Sequence, residues 1–138
     1  FVGHDSCVTI LGDNIFKYDL SSDLRDFKNG CKLFFIEVED PERYGVGVFE
    51  KDELVAVEEK PKKPKSNLAC VGIYVYDNSV FKVINNTKKS LRGEYEISSV
   101  NNAYIDKGVA DFSILDGGWV DAGTMDAYHR TNRVIYDE

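Results

Sequence analysis

At 138 residues, 43% hydrophobic and 12% aromatic with three prolines, the chain has the size of one core-forming domain, which excludes disordered and fibrous classes. Its formal charge of -7, from 17 Lys and Arg against 24 Asp and Glu, argues against a nucleic-acid partner and is compatible with carboxylates that hold a metal. No apolar run approaches the roughly 20 residues of a membrane helix, so no membrane partner is expected, and three widely spaced cysteines, Cys7, Cys31 and Cys70, fit free thiols in a reducing cytoplasm.

The chain opens Phe1-Val2-Gly3-His4, without Met and almost at once in a strand, which is expected of a segment of a longer protein. Cys7 to Leu11 is a short apolar run ending in Gly12-Asp13-Asn14, and it predicts a buried strand that delivers Asp13 to the carboxyl edge of a sheet. Asp13 reads equally as a turn former and as a ligand-binding carboxylate at the edge where open α/β sheets bind ligands. Asp19 to Asn29 reads as a helix with Ser21 or Ser22 as N-cap, Leu20, Leu24 and Phe27 at helical spacing and Gly30 as its stop. Lys32 to Val38 is a strand too apolar to have a wet face, so strand, helix and strand predict a βαβ unit in a parallel sheet.

Asp40 to Gly45 is a loop, and Val46–Glu50 and Leu54–Glu59 flank Lys51-Asp52-Glu53 as a hairpin. Lys60 to Asn67 is a basic, Pro-containing connection, and Leu68 to Tyr76 is a central strand. Helices are expected over 78–86, through Val80, Phe81 and Ile84, and over 97–107, with Ile97, Val100, Ala103 and Tyr104 as stripe and Gly108 as stop. Val109 to Leu115 is a strand, Asp116-Gly117-Gly118 a turn, and Trp119-Val120 a short strand ending at Asp121. The tail is helical from its N-cap Thr124, with Met125, Tyr128 and Ile135 on one face.

Asp13 and Asp121 stand 108 positions apart at two strand ends that a wound sheet can bring together. Two converging carboxylates repel unless a cation sits between them, and hard oxygen ligands select Mg²⁺ or Mn²⁺. Alternation along Leu54–Glu59 puts Glu59 on the face of Val55 and Val57, where an unpaired carboxylate is costly and a partner or ligand is expected. The same alternation turns Lys60 the other way, so both reach one ligand only if the strand twists or bulges near Lys60-Pro61.

Seven blocks carry a resemblance: Leu11-Gly12-Asp13-Asn14, Asp40 to Val46, Glu58-Glu59-Lys60-Pro61, Pro64-Lys65-Ser66-Asn67, Gly72 to Asp77, Arg92 to Ile97 and Trp119 to Thr124. Their order resembles the sugar-1-phosphate nucleotidyltransferases, and within them the glucose-1-phosphate thymidylyltransferase branch. The resemblance implies a Rossmann-like, three-layer α/β/α fold with a mixed, mostly parallel sheet, of which residues 1–138 form one partial domain. It also implies transfer of a nucleotidyl group from a nucleoside triphosphate, dTTP in that branch, to a sugar 1-phosphate such as glucose 1-phosphate.

Carried over by position, Asp13 and Asp121 would hold Mg²⁺, Tyr44 and Gly45 would border the sugar, and Glu59 would bind its hydroxyls. Lys60 would meet the sugar phosphate, Arg92 would stand near that phosphate, and Cys70 would lie against the sugar. The family's glycine-rich element, which cradles the nucleotide and supplies a catalytic Arg and Lys, has no counterpart in these 138 residues. A segment without it is expected to bind sugar phosphate weakly without turnover, to expose an apolar sheet edge and to form homo-oligomers. The rival reading is a non-catalytic sugar-phosphate-binding or regulatory domain.

Overall fold

The computed structural model describes residues 2–125 and 127–129. Its longest strand, β6 (Leu68–Tyr76), organises the sheet, because an unbroken apolar and aromatic run can be satisfied only with cover on both faces. On one edge of β6 lies β3 (Cys31–Glu37), with Cys31 opposite Tyr76, and β7 (Ala110–Ile114) continues beyond β3. Two strands share the other edge: β1 (Cys7–Ile10), with Cys7 opposite Tyr76, and β4 (Gly45–Glu50), joined through Val46 and Ala69. β5 (Glu53–Glu59) completes that side.

The helix-covered α/β architecture matches the sequence expectation, while the mostly parallel pairing within it is corrected. β1 and β3 do point the same way, as a strand–helix–strand unit requires. β6 slots between them antiparallel to both, and β4 and β5 pair antiparallel, so among the described residues only β3 and β7 pair in parallel. Four strands, β1, β3, β4 and β7, share one direction against β5 and β6. Apolar runs state that a strand is buried on both faces; they do not state which neighbour arrives from later in the chain.

Alternation along β3 and β6 makes two cores. Leu33, Phe35, Tyr74 and Tyr76 face α2 (Val80–Asn86) and α3 (Ile97–Ile105), meeting Val80, Val83, Val100 and Tyr104. Phe34, Ile36, Val71, Ile73 and Val75 face the opposite layer, where Leu115, Phe16, Tyr18, Leu20, Phe27 and Trp119 pack. That layer holds the short α1 (Ser21–Asp26), tied down by an ionic group that runs from buried Asp23 out to exposed Asp111: Lys32 Nζ lies 3.2 Å from Asp23 Oδ1 and 2.8 Å from Asp111 Oδ2. Burial opposes charge on Asp23, but donors from Ser113, Lys32 and Tyr18 outweigh it and hold its carboxyl below the usual range.

Several local expectations shift. α1 ends at Asp26 rather than Asn29, since Phe27 turns extended to pack in the second core. Neither Ser21 nor Ser22 caps it; Asp19 Oδ1 instead accepts from Ser21 N at 2.9 Å. On α2 the buried residues are Val80 and Val83, and Phe81 and Ile84 stand out to solvent. The hairpin closes on two residues, Lys51 and Asp52, with φ of 48° and 67°, the pairing that matches strand twist. Thr124 does act as an N-cap, its Oγ1 accepting from Ala127 N at 3.2 Å; Ile135 lies outside the described residues. The buried strand expected over Cys7 to Leu11 is corrected: among the described residues β1 pairs with β6 alone, so Val8, Ile10 and Leu11 are 42%, 50% and 42% exposed, and it is here that the apolar sheet edge lies.

The cores carry a pH signature. Burial, with Asp77 and Asp111 nearby, pushes the Cys31 thiol from its ordinary 9.0 up to about 12, and burial pushes the Tyr104 phenol from 10.0 up to about 12. Between these values the unfolded chain has released protons that the native chain still holds, so stability falls with rising pH. The expected slope is about 1.4 kcal/mol per pH unit for each such group. Urea midpoints measured from pH 8 to 11 should decline above pH 9, and Cys31→Ala should reduce the slope; a flat profile contradicts this.

Candidate active site

The strand pair that builds the site is absent from the sequence expectation. β2 (Asn14–Phe16) pairs antiparallel with β8 (Trp119–Asp121), setting Asn14 opposite Asp121, and Ala122 N donates to the Asp13 carbonyl oxygen at 2.7 Å. These bonds bring the two aspartates to one place. A Cβ added at Gly123 would stand 2.9 Å from Asp121 Oδ1 and 3.1 Å from Asp13 Oδ2, so the two carboxylate oxygens lie at most about 6 Å apart across a gap that glycine leaves open. Gly123 N also donates to Asp121 Oδ1 at 2.9 Å, and Asn14 Nδ2 to Asp13 Oδ1 at 2.8 Å, so one carboxylate is oriented by the main chain and the other by a neighbouring side-chain amide.

Asn14 pins this ribbon to the sheet. Its Oδ1 accepts from Trp119 Nε1 at 2.7 Å and from Gly72 N at 2.9 Å. Gly72 is required for that approach, because a Cβ there would fall 2.7 Å from the Asn14 amide.

A second group comes from the ends of β4 and β5. Gly45 pairs with Glu59; a Cβ at Gly45 would crowd Val57 Cγ1 at 3.2 Å, while Glu59 Oε2 and the Cys70 Cβ stand at ordinary contact distance from that point, 3.4 and 4.0 Å. Lys60 has φ of 43°, a left-handed turn that breaks the alternation of β5, and its N donates to Tyr44 O at 2.9 Å. The twist that joint action of Glu59 and Lys60 requires is therefore present at Lys60.

Both groups line one cavity of about 180 Å³, smaller than the roughly 300–1,000 Å³ of drug-sized sites. Asp13, Asp121, Tyr44, Gly45, Glu59, Lys60 and Cys70 all reach it. Arg92 does not line it; its guanidinium sits 3.2 Å from Glu94 Oε2 and 3.9 Å from Glu96 Oε1 in the segment before α3. The β6 side chains form the floor. Burial pushes the Cys70 thiol and the Tyr74 phenol up, so both stay protonated and offer packing rather than a nucleophile.

Four further lining residues were not assigned a role from sequence. Trp119 stacks edge-on against Tyr44 at 5.6 Å between ring centroids, and Arg43, paired with Asp40, lies 5.4 Å over the Tyr44 ring. Ser98 and Asn101, 4% and 0% exposed, enter from one face of α3. The signal for these two was faint: polar residues interleaved with the apolar stripe of a helix, at the i, i+3 spacing that shares a face.

This arrangement sets three carboxylates, Asp13, Asp121 and Glu59, and two cations, Lys60 and Arg43, around a small cavity with aromatic and aliphatic walls, which suits an anionic, hydroxyl-bearing ligand with a metal ion. The nucleotidyl transferase family model matches residues 1–138, the whole chain. The chain belongs to the nucleotidyl transferase family. It is 43% identical to glucose-1-phosphate thymidylyltransferase of Mycolicibacterium smegmatis over 91% of its own length and 46% of that protein. The Neisseria meningitidis enzyme of the same name is 38% identical, over 94% and 47%.

Among solved structures, a Bacillus anthracis protein described as a glucose-1-phosphate thymidylyltransferase, in complex with a sucrose, superposes with a TM-score of 0.90 at 43% identity. This chain is covered fully and that chain to 57%. A UDP-glucose pyrophosphorylase complexed with UDP-glucose, at TM-score 0.85 and 22% identity, shares the fold. The chain spans about half the length of the curated relatives it matches.

Proposed function

We propose that this chain contributes the metal-holding and sugar-phosphate-binding part of a nucleotidyltransferase that joins dTTP to glucose 1-phosphate, releasing pyrophosphate. The observation that carries the reading is the convergence of Asp13 with Asp121, and of Glu59 with Lys60, on one cavity. In the reaction a phosphate oxygen of the sugar 1-phosphate attacks the α-phosphorus of the triphosphate, forming one P–O bond as the bond to pyrophosphate breaks. Positioning and charge neutralisation supply the catalysis, and no covalent enzyme intermediate is needed.

Within that reaction Glu59 accepts hydrogen bonds from sugar hydroxyls, a task suited to a half-buried carboxylate above the Gly45 backbone. Lys60, exposed just beyond β5, offsets the sugar phosphate, and Tyr44 with Trp119 walls the sugar. Two oriented carboxylates facing one open point fit a hard divalent ion that takes its other ligands from water and phosphates, and no larger His, Cys, Asp and Glu cluster competes among the described residues. Asp13 and Asp121 would hold Mg²⁺ there, which when bound neutralises charge on the reacting phosphates.

Three free thiols are consistent with a cytoplasmic setting, and no helix among the described residues is long and apolar enough to cross a membrane. The exposed run Val8, Ile10 and Leu11 is where self-association would occur, and light scattering on a size-exclusion column reads it.

Titration of the protein with glucose 1-phosphate and Mg²⁺ tests the site. Glu59→Gln is expected to weaken sugar-phosphate binding about 10-fold or more, since a charged hydrogen bond is lost. Arg92→Ala should change it less than about twofold, as expected of an exposed pair outside the cavity. Unchanged affinity in Glu59→Gln would sink the reading. Nucleotide-sugar formation by these 138 residues alone would contradict assignment of the nucleotide-handling part to sequence outside them.

A further inference from the structure

The interior of the cavity holds one hydrogen-bond donor without an acceptor. Asn101 is fully buried at the middle of α3, and its Oδ1 accepts from the Tyr76 hydroxyl at 2.5 Å, which fixes the orientation of the amide plane. Its Nδ2 is buried as well and has no hydrogen-bond partner among the described residues. An amide nitrogen left unsatisfied in a core costs about 1–3 kcal/mol, and such groups are rare unless a ligand or water completes them.

Asn101 lines the cavity beside Tyr74 and Ser98, so the proposed sugar site adjoins this unsatisfied residue. The carboxylates of that site can only accept hydrogen bonds, whereas a sugar hydroxyl both donates and accepts. Its oxygen therefore needs a neutral donor, and Asn101 Nδ2 is one already oriented by Tyr76.

We infer that Asn101 is a sugar-recognition residue whose Nδ2 donates to the oxygen of one ring or exocyclic hydroxyl of the bound sugar 1-phosphate, with Tyr76 as the positioning residue behind it. This rests on the sugar-phosphate reading of the cavity and adds a specificity element to it. A site built to pair with a hydroxyl rejects an analogue lacking it, because the buried donor is then left unpaired. Sugars without that hydroxyl are therefore discriminated against where α3 borders the cavity.

The test is a substrate–residue cycle in the protein that carries this chain, measuring affinities for glucose 1-phosphate and its 2-, 3-, 4- and 6-deoxy analogues with wild type and Asn101→Ala. Wild type should bind one of these analogues about 10-fold more weakly than glucose 1-phosphate. Asn101→Ala should bind glucose 1-phosphate and that analogue alike, while keeping wild-type discrimination against the others.

A merely structural amide would weaken all five sugars by one common factor or none, leaving the discrimination pattern of wild type intact, and that result overturns the inference. Where Asn101→Ala does not fold, Tyr76→Phe preserves the amide and the core volume; it should reduce discrimination against the same analogue alone, and an unchanged pattern overturns the inference. Wild type that binds none of the five sugars overturns the functional reading itself, a result distinct from binding that ignores Asn101.

Discussion

Asp121→Asn is expected to lower Mg²⁺ affinity, measured calorimetrically in the presence of glucose 1-phosphate, by at least about 100-fold while leaving the fold intact. Loss of groups that only support a metal ligand costs roughly 10–100-fold, so removal of a ligand charge sets a higher floor. The fold survives because the asparagine oxygen can still accept from Gly123 N, the bond that shapes the turn after β8.

Asp13→Asn should have the same effect, and the double variant should be scarcely worse than either single one, since both aspartates would serve one ion. Effects that multiply instead would mean that the two carboxylates hold separate partners. The metal-free protein supplies an opposite-signed check. With the two carboxylates at most about 6 Å apart, neutralising one relieves repulsion, so either variant should be more stable than wild type by up to about 1 kcal/mol at low salt. An aspartate retained only to form its turn would leave stability unchanged, since the asparagine oxygen keeps the turn bond.

Gly30→Ala is the substitution with the largest expected cost in stability, about 4 kcal/mol or failure to fold. Gly30 has φ of 80°, which alone costs a residue with Cβ about 1–2 kcal/mol. The larger part is steric: a Cβ there would fall 2.0 Å from the Val109 carbonyl oxygen and 3.0 Å from its carbon. Relief is blocked on three sides. Gly30 N donates to Asp77 Oδ2 at 2.7 Å, Asp77 N donates to Gly30 O at 2.9 Å, and the same Val109 oxygen accepts from Cys31 N at 3.0 Å where β3 meets β7.

Gly108→Ala is the matched control. Gly108 has φ of 67° but open space around its Cβ position, so it should lose only the conformational part, about 1–2 kcal/mol. Urea denaturation of both variants reads the difference, and equal losses would show that the contact with Val109 yields at little cost.

Much of the site was legible from residue order. Glu59 followed by Lys60 posed a geometric requirement, a break in strand alternation, and the left-handed Lys60 meets it. Tyr44 and Gly45, placed at the sugar by residue order, do line the same cavity as Glu59. Arg92 shows the limit of such reading: position in a matched block carried it toward the phosphate, while its local carboxylates Glu94 and Glu96 engage it outside the cavity. Ser98 and Asn101 show the converse, because a polar residue in an apolar stripe looks the same whether it is satisfied by the core or waiting for a ligand.

By itself the sequence determined that β3 and β6 are buried and where the carboxylates fall along the chain, but not that the equally apolar β1 stands at an exposed edge. Continuous apolar runs at β3 and β6 demand cover on both faces, and the glycines and prolines between runs mark where the chain turns. Only the tertiary structure decided who pairs with whom. The insertion of β6 antiparallel between β1 and β3, and the β2–β8 ribbon that carries Asp121 to Asp13 across 108 positions, depend on contacts between residues far apart in the chain. A run of three residues such as Asn14–Phe16 has no periodicity to read; it becomes a strand because Trp119–Asp121 arrives beside it and Gly72 leaves room for Asn14 to hold both in place.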